Sequence, residues 1–65
     1  MKAGIAIDGW KLEIFERHLK GCGYEYEVGP GVTRDTLLLQ VQTENLNALA
    51  ELCKRANIEC ARTKQ

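Results

Sequence analysis

Apolar side chains fall on alternate positions at the start of the chain, with Ala3, Ile5 and Ile7 on one side and Asp8-Gly9 closing the run. That period of two predicts a half-buried strand over Lys2 to Ile7, followed by Asp8 as a cap that accepts backbone N–H bonds from a helix. From Trp10 to Cys22 the spacing changes. Leu12, Phe15, Leu19 and Cys22 recur at helical intervals and form one stripe, which Trp10, Ile14 and His18 widen to about half the circumference. Glu13, Glu16, Arg17 and Lys20 fill the remaining arc, where Glu13 with Arg17 and Glu16 with Lys20 make acid-before-base pairs worth about 0.2–0.5 kcal/mol each.

Gly21 and Gly23 supply a helix stop, and Tyr24, Tyr26 and Val28 then alternate with Glu25 and Glu27 as a second strand. Gly29-Pro30-Gly31 signals a turn. Alternation resumes from Thr36 to Thr43, with Leu37, Leu39 and Val41 facing one way and Gln40 and Gln42 the other, so the second and third strands form a hairpin. Thr43 is placed as an N-cap, and Leu46, Leu49, Ala50, Cys53, Asn57 and Cys60 mark the apolar face of a second helix running to about Ala61. The expected fold is α+β, in the order β-α-β-β-α, a three-stranded sheet with two helices on one face over the single domain 1–65. The rival is the complete ferredoxin-like βαββαβ order, in which the helix stops at Asn57 and Ile58 to Thr63 form a fourth strand.

Size and charge narrow what such a domain does. A chain of 65 residues buries only about 60% of the surface that its unfolded form exposes, so self-association into a homo-oligomer is expected to support it. Nine basic and nine acidic side chains cancel, with no run of one sign, which sets protein above nucleic acid as the expected partner while leaving room for a local basic patch. The opening residues are too short an apolar stretch for a signal peptide, and no stretch is long enough to span a membrane. Cys22, Cys53 and Cys60, odd in number and widely spaced, suit thiols in a reducing cytoplasm rather than a disulfide framework.

Candidate chemistry is sparse. His18 and Cys22 lie one helical turn apart but supply only two of the three or four ligands that zinc needs, and no residue pattern marks an oxyanion site for a nucleophilic cysteine. No serine and no glycine-rich phosphate loop are present. Neither a cofactor, a metal site nor a catalytic residue is assigned, and the chain is not expected to be an enzyme. Trp10, Lys11, Tyr24, Arg34 and Asp35 are the candidate partner-binding residues: Trp and Tyr are favoured interface anchors, and the Gly29 to Asp35 loop is longer than a minimal hairpin turn. If the ligand were a nucleotide or nucleic acid instead, Arg34, Lys11 and Arg17 would meet its phosphate.

The stretch Ala6-Ile7-Asp8-Gly9-Trp10-Lys11-Leu12-Glu13-Ile14-Phe15-Glu16-Arg17-His18-Leu19, followed by Gly23-Tyr24 and by Pro30-Gly31-Val32-Thr33-Arg34-Asp35-Thr36-Leu37, resembles small uncharacterised proteins of tailed bacteriophages. The resemblance covers most of the chain and carries no catalytic residues with it. It implies a phage-encoded protein of the host cytoplasm, of a size typical of accessory factors that bind and modulate or block a host protein, including defence components.

Overall fold

The computed structural model describes residues 1–63. Strand β1 (Lys2–Asp8) leads through one 3-10 turn (Gly9–Lys11) into helix α1 (Leu12–Gly21), then come strands β2 (Glu25–Pro30) and β3 (Thr36–Gln42) and helix α2 (Leu46–Thr63). The order is the expected β-α-β-β-α. The sheet order is β1-β3-β2 and both neighbouring pairs are antiparallel, so β1 and β2 run parallel without touching, with β3 between them. Registers run from Lys2 opposite Gln42 to Asp8 opposite Thr36, and from Glu25 opposite Gln42 to Pro30 opposite Leu37.

Both helices lie on one face. Ile7, Leu39 and Val41 from the sheet, Ile14, Phe15 and Leu19 from α1, and Leu49, Leu52, Ala56 and Cys60 from α2 form one buried cluster, with Ala3, Ile5, Leu12, Tyr24, Tyr26, Leu37 and Cys53 packed around it. Phe15, Leu19, Leu39 and Val41 are fully enclosed, each contributing about 1.5–3 kcal/mol of burial. The opposite sheet face presents Lys2, Gly4, Ala6, Glu25, Glu27, Gln40 and Gln42 to solvent.

Several expectations are corrected. The fourth strand does not form: α2 continues through residues 58–63 to Thr63, because Ala56 and Cys60 keep the helical period on the core side. Helix one starts at Leu12 rather than Trp10, after the 3-10 turn, and Asp8 makes no side-chain capping bond. The cap of α2 is Asn45, whose Oδ1 accepts the Ala48 N–H at 3.0 Å, while Thr43 braces the turn by accepting the Asn45 N–H at 3.1 Å. Cys22 is exposed just past α1, and the chain leaves the helix through Gly23 at φ 78°, a left-handed geometry that glycine adopts without cost. The buried face of α2 is Leu49, Leu52, Ala56 and Cys60, so Leu46, Ala50 and Asn57 of the expected stripe lie exposed on its flank. Val28 is 41% exposed although its parity points it inward, since it lies toward the far end of an edge strand.

Candidate functional site

Residues 6–10 and the loop at 31–36 meet at one end of the sheet. Asp8 is paired with Thr36, and one residue on, the Gly9 N–H donates to the Asp35 carbonyl at 2.8 Å, clamping the β2–β3 loop to the start of the 3-10 turn. The loop is also closed on itself. The Gly31 N–H donates to the Thr36 carbonyl at 3.0 Å, and Thr36 Oγ1 accepts from the Thr33 N–H at 3.0 Å while donating to the Thr33 carbonyl at 3.1 Å. A Cβ at Gly31 would overlap the Thr36 backbone, so this tight closure requires glycine there.

Trp10 stands on the 3-10 turn, 42% exposed, with the Lys11 ammonium 5.5 Å from its ring centroid. Beside it Asp8, Gly9, Arg34, Asp35 and Leu37 complete an open recess of about 460 Å³. The apolar indole, a guanidinium and two carboxylates around it give the mixture of aromatic anchor and charged rim found where proteins recognise proteins. Of the five candidate residues the fold thus brings Trp10, Arg34 and Asp35 together. Lys11 is adjacent but leans over Trp10 and toward Asp8, at 3.9 Å, and lines a second recess along β1. Tyr24 lies at the far end of the sheet, next to the Glu25–Gln42 pair, and packs against the core.

The remaining polar side chains knit elements together. Glu59 of α2 accepts from His18 Nε2 at 2.9 Å and pairs with Arg17 Nη1 at 2.7 Å, so Arg17 reaches across to α2 instead of back to Glu13. The His18 hydrogen bond, followed by the Arg17 contact, holds the Glu59 carboxyl below its ordinary range. Glu16 likewise turns to Tyr26, whose hydroxyl donates to it at 2.7 Å; burial and then this bond push the Tyr26 phenol up to about 12. Nothing in the spacing marked Glu16 as a tertiary partner, because its local pair with Lys20 explained its charge equally well, and no pattern singled out Glu59.

Arg17 and His18 are therefore committed to Glu59, so of the three cations named for phosphate binding Arg17 is turned toward α2, while Lys11 and Arg34 both stand beside Trp10 and Asp8. Burial raises the Cys53 and Cys60 thiols, favouring the protonated form, which is the poor nucleophile. Among the described residues no group of three or more His, Cys, Asp and Glu side chains is arranged to hold a metal ion, and no helix is long and apolar enough to cross a membrane. No family model, curated protein or solved structure matches the chain.

Proposed function

We propose that this chain is a small phage-type accessory protein that binds a host protein and modulates or blocks it, with Trp10, Arg34 and Asp35 at the centre of the contact. The observation that carries this is the convergence just described: residues from the two motif segments, far apart in sequence, form one recess held by the 2.8 Å Gly9–Asp35 bond. The loop is closed by its own hydrogen bonds in the single chain, an arrangement that lowers the entropic cost of binding. Tryptophan and arginine are among the side chains most enriched where interface energy concentrates.

Affinity capture from host lysate tests this, comparing the tagged wild type with Trp10→Ala and Arg34→Ala. A stoichiometric, nuclease-resistant host protein that is lost in both folded variants supports the proposal. Capture undiminished in both variants moves the contact to another surface. Salt-sensitive recovery of oligonucleotide in place of protein replaces the proposal with nucleic-acid binding.

A further inference from the structure

The first half of the fold is a split β-α-β unit, in which β1 and β2 lie on either side of β3. Were the second half built the same way, a strand after α2 would lie beside β1, on its free side. Here α2 runs on to Thr63 and that position is vacant among the described residues, leaving β1 as an open edge.

The hydrogen bonds at its two ends define what this edge offers. The Thr43 N–H donates to the Met1 carbonyl and the Gly9 N–H to the Asp35 carbonyl. Both bonds continue the register in which Lys2 faces Gln42 and Asp8 faces Thr36. In an antiparallel ladder the bonding direction alternates along the strand. Odd-numbered residues of β1 therefore turn their amides and carbonyls to β3, and Lys2, Gly4, Ala6 and Asp8 turn theirs to the open edge.

That edge is self-complementary. Antiparallel pairing of two β1 strands about Ile5 sets Gly4 opposite Ala6 of the second copy and Lys2 opposite Asp8 of the second copy, so residues with outward-facing backbone groups meet each other and opposite charges meet at both ends, in exchange for the Lys2–Glu27 pair at 3.3 Å and the Lys11–Asp8 pair at 3.9 Å that the single chain makes. Ala3, Ile5 and Ile7 then continue one apolar layer across the junction. The small side chains of Gly4 and Ala6 put no bulk beside the seam. Lysine, proline and inward-pointing charge are the usual guards of an edge strand, and between Lys2 and Asp8 this one carries none of them.

Helix α2 supplies an independent observation. Glu59 marks the flank of α2 that faces α1, through Arg17 and His18. Leu46, Ala50, Cys53 and Asn57 lie on the other flank, and Asn57 lines a recess of about 250 Å³ together with residues 5–8 of β1 and Phe15. The part of the apolar stripe that the core leaves uncovered, including Leu46 at 51% exposure, thus runs along the same side of the molecule as the open strand.

We propose that the chain forms a two-fold symmetric dimer by antiparallel pairing of β1 with β1 of a second copy, giving a continuous six-stranded sheet with the α2 flanks facing each other above the seam. This surface shares Asp8 with the rim of the Trp10 recess but excludes Trp10, Arg34 and Asp35, and its test reads oligomeric state instead of host-protein capture, so either proposal can fail alone.

Light scattering and sedimentation of the purified chain test it, with circular dichroism as the folding control. The wild type is expected at twice the 7.3 kDa chain mass. Ala6→Pro removes an edge-facing amide while sparing the β3 ladder, and losing that bond twice by symmetry is expected to weaken the dimer by about tenfold or more. Lys2→Glu alone and Asp8→Lys alone are expected to weaken it, and the two together to restore it. A wild type that stays at the chain mass at the highest attainable concentration overturns the proposal, as does a folded Ala6→Pro variant that dimerises undiminished. If Ala6→Pro does not fold, the charge exchange decides: restoration supports this pairing, and its absence refutes it.

Discussion

The two faces of the sheet share the same three strands and differ in almost everything else. Toward the helices, Ile7 is 5% exposed and Leu39 and Val41 are fully enclosed; on the other face Gly4, Ala6, Gln40 and Gln42 stand in solvent. Within β3 the contrast falls on adjacent leucines. Leu39 inserts between the helices and the sheet, whereas Leu38, on the open face, is opposite Ala6 on one side and Gly29 on the other, with Gly4 close by. A small domain thus concentrates its cohesion on one side.

Truncating the two leucines is the sharpest way to break that contrast. Leu39→Ala is expected to cost about 2–5 kcal/mol, a large part of the stability a domain of this size has, and Leu38→Ala about 1 kcal/mol or less. Urea denaturation of both variants measures the difference. Equal losses would mean that the open face is covered to a degree the single chain does not show.

How much of this was legible beforehand follows from what each signal reports. Alternation in Lys2–Ile7 and Thr36–Thr43 reports which side of a strand meets the core, and both strands appear there with the expected parity. Period in α2 reports an apolar arc but not which element covers each part of it. Leu46, Ala50 and Asn57 belong to that arc and yet lie outside the core, because the stripe serves both the core and the flank beside β1. Capping was misassigned for a similar reason: Asp8, Thr43 and Asn45 are all competent caps, and only the path of the chain decides which one aims its oxygen at a helix. At the candidate site Trp10, Arg34 and Asp35 were visible as residues, but their meeting depends on the strand order β1-β3-β2, which brings Gly9 beside Asp35.

The covered face also carries polar seams, and the next effect in size belongs to Tyr26. Tyr26→Phe removes its bond to Glu16 and is expected to cost about 1 kcal/mol. The folded-state phenol is raised from 10.0 to about 12, so this stabilisation is complete below pH 10 and is lost as pH rises through about 12. In Tyr24→Phe, which leaves Tyr26 as the single tyrosine, phenolate absorbance should titrate with a midpoint near 12. A midpoint at the ordinary 10.0 would show Tyr26 to be as wet as the open face and would dissolve the contrast at that point.

The smallest effect is expected where the covered side itself opens to water, at Glu59. Its carboxyl is held below the ordinary 4.5 by His18 and Arg17, so the folded state favours the ionised form; the sign is opposite to that of Tyr26. The stabilisation is present above pH 4.5 and is lost as pH falls through the depressed value. Glu59→Gln keeps the shape and removes the charge. The wild type should therefore melt higher than the variant at neutral pH, and the two melting curves should converge on acidification. Solvent reaches this carboxylate and screens its pairs, which keeps the separation small. A separation that stays constant from neutral to acid pH would show that Glu59 joins α1 to α2 by packing of its methylenes, and that charge contributes nothing to the seam.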